Sequence, residues 1–368
     1  MNAGGGLEGK VRKLGLINFG FLMSVKILSW NVRGLNDADK RVAVKSMLRK
    51  IRADVICLQE TKMEDLGAEI VREICGSRFI DWACLPARGT SGGILLCWDK
   101  RVVAQEGMEI GGFSISCLFR GVEDGCQWVF SGVYGPVNGR ERSSMWAELG
   151  DAAFRWEAPW CLGGDFNMVR FPGEKKGRHR LSGAMRSFTK FIDEMRLVDL
   201  PLHGGAFTWG NGQSASRIDR FLVSGDWEEH FQNIRQIRME RPISDHWPVL
   251  LECGGMRRGP SPFRFENMWL SVEGFREQVK IWWDGYQVIG SPSCVLAKKM
   301  KLLKEDLKLW NREVFGHLGT KKADALAVIE EVGDLEARDM MGEMDRLRRE
   351  EARAEYIKIA RMEETSFR

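Results

Sequence analysis

The sequence predicts an α/β fold, a sandwich of two sheets covered by helices, on three observations. Short apolar runs rich in β-branched and aromatic residues recur through residues 25–251. Stretches with apolar residues at helical spacing separate some of them. Five of the runs end in, or adjoin, a carboxylate, amide or imidazole. Strands in series with interspersed helices bury their apolar faces by layering. Periodicity alone leaves a doubly wound sheet open as well.

The elements follow in order. Val25–Trp30 is an apolar strand, with a loop at Val32–Asp39. Lys40–Ile51 reads as a helix because Val44, Met47, Leu48 and Ile51 fall on one face. Val55–Leu58 is a buried strand and Glu64–Ile74 a second helix. Gly92–Trp98, Phe113–Phe119 and Trp128–Tyr134 are strands by their aromatic and β-branched content. Ser143–Trp156 is helical, Trp160–Leu162 a strand and Phe188–Met195 a helix. Arg217–Val223 and Trp247–Leu251 complete the strands.

After Cys253 the texture changes. Gly254–Pro262 (GGMRRGPSP) is a linker by composition. Phe263–Trp283 is amphipathic and rich in aromatics. Leu296–Phe315 is a helix with Met300, Leu303, Leu307 and Trp310 on one face. Lys321–Arg361 is long, charged and helical in propensity, which suggests a hairpin. The division expected is an unstructured extension over 1–22, one domain over 23–253, a linker over 254–262 and a helical region over 263–368. Trp269, Trp282, Trp283 and Trp310 read as exposed aromatic faces awaiting a partner surface. The basic run Arg346–Arg349 reads as a solvated face.

The bulk numbers exclude little. The chain has 368 residues, 44% hydrophobic and 29% charged, as an ordinary globular protein has. The net charge of +4 permits nucleic-acid binding without arguing for it. Nine cysteines form no CxxC pair, so the spacing supports no zinc site. Cys57 and Cys161 lie inside apolar runs, which fits reduced thiols in a nuclear or cytoplasmic protein. No stretch reaches the roughly 20 apolar residues of a membrane span.

The chemistry sits in five motifs: SWN at Ser29–Asn31, LQE at Leu58–Glu60, GDFN at Gly164–Asn167, RID at Arg217–Asp219 and SDH at Ser244–His246. Side chains at strand ends converge on one rim of a sheet. Glu60 ends an apolar strand, where a hard divalent cation could be held by one or two carboxylates. Asp165 and Asn167 lie one pleat apart and share a face if extended; a carboxylate beside an amide suits positioning a water. Gly163 and Gly164 allow close backbone approach. Of the five histidines, only His246 has an adjacent carboxylate and a following apolar strand. Neighbours on a strand face opposite ways, so an Asp245–His246 contact requires a turn.

The motifs ILSWNVRGLN, DVICLQETK, GGILLCW, SGVYGP, CLGGDFNMVR, FTWGNG, SRIDRFLVS and ISDHWPVLL occur in that order between Val25 and Glu252. They resemble the endonuclease/exonuclease/phosphatase superfamily, and within it the apurinic-endonuclease-like nucleases of LINE retrotransposons. The FTW and SRIDRFLVS segments, with FRFENMW further on, look like plant non-LTR elements. Residues 263–315 resemble the link between such an endonuclease and a reverse transcriptase, a domain absent from this chain.

The resemblance implies a four-layer α/β/β/α sandwich, DNase I-like, with a C-terminal helical appendage. It implies hydrolysis of one DNA strand, leaving a 3′-hydroxyl, with Mg²⁺ or alternatively Mn²⁺. DNA is the partner implied, with no membrane and no small-molecule cofactor. Asn31 and Glu60 would lie at the metal site, with Asp245 beside it. Tyr134 would contact the scissile phosphate or assist the leaving group. Asp165 would activate the water and Asn167 orient it. Asp219 would support the metal and the histidine's surroundings, and Asp245 would orient His246, which stabilises the transition state. Thr208 and Trp209 sit where related nucleases contact DNA, and Arg178 and Arg180 form a basic loop suited to phosphate. The alternatives are a phosphatase or other phosphodiesterase of the same superfamily, and a catalytically silent retroelement relic. Inositol phosphatases of the superfamily carry a longer tryptophan-rich motif where this chain has SRIDRFLVS.

Overall fold

The computed structural model describes residues 24–366 except 88, 90, 178, 232, 255–264, 266–268, 271, 289–291, 312, 314–317 and 338–339. The expected extension over 1–22 and nearly all of the expected linker lie outside the described residues, as does Arg178.

The chain runs β1 (Val25–Asn31), α1 (Ala38–Ile51), β2 (Val55–Gln59), α2 (Ala68–Cys75), β3 (Ile80–Leu85), β4 (Ile94–Asp99), β5 (Val103–Ile110), β6 (Ser114–Gly121) and β7 (Gln127–Tyr134). It continues through α3 (Arg142–Arg155), β8 (Trp160–Asp165), α4 (Gly183–Glu194), β9 (Leu197–Asp199), β10 (Leu202–His203), β11 (Trp209–Gly210), β12 (Ala215–Ser216) and β13 (Asp219–Ser224). Then come α5 (Gly225–His230), β14 (Arg235–Arg238), β15 (Val249–Cys253), α6 (Phe275–Gly285), α7 (Pro292–Trp310), α8 (Leu318–Ala337) and α9 (Glu343–Ser366).

Two sheets carry the fold. One is seven-stranded, ordered β10-β14-β15-β1-β2-β4-β3, and the other six-stranded, ordered β5-β6-β7-β8-β13-β9. Their facing sides form one apolar core from Ile27, Cys57, Leu96, Phe119, Trp128, Phe130 and Phe221. The outer face of the first sheet packs on α1 and α2 through Leu28, Val44, Leu48 and Ile74. The outer face of the second packs on α3 and α4 through Leu149, Leu162 and Phe188. This is the α/β/β/α sandwich. β1 is apolar on both faces because both are covered, so periodicity alone could not settle the topology.

Local signals fix the helix ends. Asp37 caps α1 by accepting from the Lys40 amide at 2.9 Å, a contact worth about 1 kcal/mol. Arg52 closes it in the left-handed region, its amide bonding Leu48 O. The structure adds β3, β5, β9 to β12, α5 and β14, which hydrophobic pattern did not reveal. β5 is an edge strand with most side chains exposed, and β14 buries Gln236 and Arg238 rather than apolar residues.

The C-terminal helices divide in two. Trp269, Phe275 and Leu307 form a small core joined by Trp282, Leu303 and Trp310. Three of the tryptophans expected to face outward, Trp269, Trp282 and Trp310, therefore pack together with Phe275 and Leu307, while Met300 is exposed. The expected hairpin is α8–α9, and it packs on α1 through Ala43, Leu326, Ile329 and Tyr356. Arg349, expected on a solvated face, instead donates to buried Glu336 at 2.8 Å. Among the described residues no helix is long and apolar enough to cross a membrane.

Candidate active site

Strand register assembles the site. β1 and β2 run parallel with Asn31 opposite Gln59, which puts Glu60 one step beyond Asn31 at the same rim. In the other sheet Tyr134 pairs with Asp165, and Asp165 with Asp219. Three of the expected residues thus stand side by side across β7, β8 and β13. An isolated bridge joins Trp209 to His246 and sets the SDH segment against this row. The rims border one cleft of about 400 Å³, lined by Asn31, Arg33, Glu60, Tyr134, Asp165, Asn167, Trp209 and His246 among others.

Close packing explains the glycines of GDFN. A Cβ on Gly163 would lie 2.4 Å from the Phe221 ring, and one on Gly164 would lie 1.9 Å from Val133 O. Asn167 does not continue the pleat expected from its spacing. Its φ is 52°, and Arg33, Glu60 and Lys62 share this left-handed region around the cleft. Such backbone costs on the order of 1 kcal/mol per residue and persists where surrounding bonds over-determine it. Here the amides of Gly34 and Leu35 bond Glu60 O and Thr61 O, and the Lys62 amide bonds Gly92 O.

The hydrogen bonds give each side chain a place. Asn31 Nδ2 donates to Asp165 Oδ2 at 2.9 Å and so crosses between the sheets. The Asn167 amide donates to Asp165 Oδ1 at 2.8 Å, and Asn167 Nδ2 to Gly135 O at 2.8 Å. His246 Nδ1 lies 3.1 and 3.0 Å from the two Asp219 oxygens, and its Nε2 is 3.9 Å from Asp165 Oδ2.

One expected role is corrected. Asp219, not Asp245, orients the imidazole. No turn brings Asp245 back onto its neighbour; its carboxylate faces away, accepting from Trp209 Nε1 at 2.9 Å and from Arg33. Thr208 is likewise no surface contact. It is fully buried, and its hydroxyl accepts from the Ile218 and Asp219 amides at 3.0 and 2.9 Å. Trp209 lines the cleft, and Arg180 is exposed.

Electrostatics divide the roles. Burial and the Asp219 charge push the Asp165 carboxyl up to about 7. Burial alone would lower the imidazole of His246, but Asp219 and Asp165 outweigh it and raise it to about 9. Burial, then Glu60 and Asp165, raise the Tyr134 phenol above its ordinary value, so it keeps its proton. The site therefore holds a carboxylate poised near neutrality, an imidazolium and a neutral phenol. These suit removal of a proton from water and stabilisation of a phosphoryl oxygen.

The residues fit a hard divalent cation. Glu60 and Asn31 offer oxygen donors to the cleft, and Asp245 Oδ1 is buried with no hydrogen-bond partner. Arg33 bonds Asp245 and lies 4.0 Å from Glu60, so both carboxylates reach one positive charge. Asp165, Asp219 and His246 also offer three ligand atoms within 4.8 Å of one another. Their chemistry is different: Nδ1 is committed to Asp219, and an imidazolium has no lone pair to give a metal.

Sequence reasoning missed the supports. Arg33 lay within a quoted motif without a role. Arg220 is fully buried inside β13 and pairs with Glu174 and Asp199 at 2.8 and 2.7 Å, which anchors the strand that presents Asp219. An arginine directly ahead of the apolar run FLVS, within a strand, was the available signal. Lys175 and Arg142 add positive charge to the cleft wall.

Known proteins are similar to this chain to different degrees. The exodeoxyribonuclease of Bacillus subtilis (strain 168) is 27% identical over 259 residues, covering 62% of this chain and 98% of that protein. The AP endonuclease LMAP of Leishmania major superposes with a TM-score of 0.50 at 16% identity, over 64% of this chain and 89% of that one. The endonuclease domain of TRAS1, a telomere-specific non-LTR retrotransposon, gives a TM-score of 0.47 at 14% identity, over 63% and 98%. The family model described as endonuclease/exonuclease/phosphatase matches residues 28–246, which contain every residue of the cleft described above, and the chain belongs to that family.

Proposed function

We propose that this chain is a divalent-cation-dependent endonuclease that nicks one strand of DNA and leaves a 3′-hydroxyl. The observation that carries the reading is the buried Asp219–His246 pair set beside Asp165 at the cleft. The family relationship supports phosphoester chemistry.

In this reading Asp165 takes a proton from a water that Asn167 helps to orient. The charged His246, held by Asp219, stabilises the phosphoryl oxygen on which negative charge develops. Tyr134 donates a hydrogen bond to the phosphate. Glu60, Asn31 and Asp245 would hold Mg²⁺ or Mn²⁺, which supplies charge neutralisation at the phosphate. Lys175 and Arg142 would meet backbone phosphates, with Arg180 further out.

The nuclease unit proposed is residues 23–253, of plant LINE provenance, with 263–368 as the helical region leading toward a reverse transcriptase. A nuclear or cytoplasmic location goes with it. The test is incubation with supercoiled plasmid and Mg²⁺, with and without EDTA, and with inositol polyphosphates in parallel. Nicked circles that a polymerase extends without prior phosphatase treatment support the reading. Phosphate release from the inositol compounds without nicking overturns it in favour of a phosphatase.

A further inference from the structure

Among the described residues one other cluster of ligating side chains lies away from the cleft. Asp124, Cys126 and His230 meet where the β6–β7 turn touches the end of α5. A carboxylate oxygen, the sulfur and a ring nitrogen there lie within 4.8 Å of one another.

The turn is built to aim them. Gly125 takes a φ of 70°, and its amide bonds Gly121 O at 2.9 Å. Asp124 Oδ1 accepts from the Cys126 amide at 3.0 Å, which fixes the carboxylate and turns Oδ2 toward His230. On the other side α5 is held by aromatic packing. Trp227 lies edge-on to Trp128 at 5.4 Å, and the His230 ring lies edge-on to Phe231 at 4.5 Å.

Asp124 Oδ2 and His230 Nε2 stand 3.3 Å apart, yet both are buried atoms without a hydrogen-bond partner of acceptable geometry. Leaving two such atoms unsatisfied is costly. A single cation between them satisfies both. Around a tetrahedral zinc ion, bonds of about 2.0–2.3 Å place neighbouring ligand atoms about 3.3–3.8 Å apart. The 3.3 Å separation falls in that range, and the thiol supplies the third ligand.

We propose that Asp124, Cys126 and His230 bind a zinc-like divalent cation, with water in the fourth position. Sulfur and imidazole nitrogen select a borderline-soft ion over Mg²⁺. The site is structural. It lies at the ends of β7 and β13 opposite Tyr134 and Asp219, about 20 Å away along the strands. It clips the β6–β7 hairpin to α5 and takes no part in the reaction.

The test is Co²⁺ titration of the full chain after removal of bound metal. Wild-type protein is expected to show a thiolate-to-cobalt absorption band in the near ultraviolet that saturates with about one equivalent, apart from any ion taken up by the oxygen ligands of the cleft. Cys126→Ser and His230→Gln, each checked for native circular dichroism, are expected to lose the band. Cys294→Ala and His246→Ala keep it. Zinc should raise the Tm of the wild type and leave both site variants unchanged. No band in the wild type at micromolar protein overturns the proposal, as does a band that survives in both site variants.

Discussion

Arg241 and Glu336, 95 positions apart in sequence, form a buried ion pair between the catalytic rim and the C-terminal hairpin. Arg241 also donates to Asp245 O and Gly210 O at 2.7 and 2.8 Å, and its guanidinium stacks 3.6 Å above the Trp247 ring. Burial lowers this arginine to about 10 even beside the carboxylate. The hairpin thus holds the loop that presents Asp245 and His246.

Removing Glu336 leaves a buried charge without its partner. Glu336→Ala is expected to cost about 3 kcal/mol of stability in urea denaturation. It should also lower kcat more than it changes KM, because the loop loses its tether while the proposed DNA contacts are untouched. An unchanged denaturation midpoint would show that the hairpin is dispensable.

Asp219 sets the charge of His246. Asp219→Asn removes the anion that most opposes the effect of burial, so the imidazole is expected to titrate well below about 9. The loss in kcat should be about 10²–10⁴-fold, as for other histidines deprived of an orienting carboxylate. A histidine proton titration by NMR checks the first part and single-turnover nicking the second. Asp245→Asn, by contrast, should leave the His246 titration nearly in place.

The same groups give the pH profile its signs. Asp165 must have lost its proton to act as base, and His246 must keep its own. The rate should climb as pH rises through about 7 and fall as it rises through about 9. The two apparent values belong to the coupled pair. Asp165→Asn should abolish the acid limb together with most of the activity.

Arg33 competes with any cation for Asp245 and Glu60. Arg33→Ala is expected to lower the Mg²⁺ concentration for half-maximal nicking by roughly three- to tenfold, as loss of a partly exposed ion pair permits. A rise in that concentration would instead make Arg33 part of the binding set.

Much of this was legible in the sequence, because the side chains that carry chemistry close apolar strands. Asn31, Glu60, Tyr134, Asp165, Asn167 and His246 all reach the cleft. What escaped depends on register and on distant contacts. Whether Asp219 or Asp245 faces His246 is decided by the pairing of β13 with β8 and by the bridge of Trp209 to His246. Neither leaves a mark within SDH itself. The pairing of Arg241 with Glu336 joins segments whose local patterns are an ordinary loop and an ordinary charged helix. Glu60 and Asn167 adopt left-handed backbone that no glycine announces. The Asp124–Cys126–His230 cluster spans a turn and a helix end, so cysteine spacing could not reveal it.

The most direct test of the central claim is the nicking rate of His246→Ala against wild type, with Mg²⁺ and with EDTA, on protein of matched circular dichroism. The account predicts Mg²⁺-dependent nicking by the wild type and a loss of about 10³-fold or more in the variant. Equal nicking by the two proteins would place the chemistry elsewhere and contradict it.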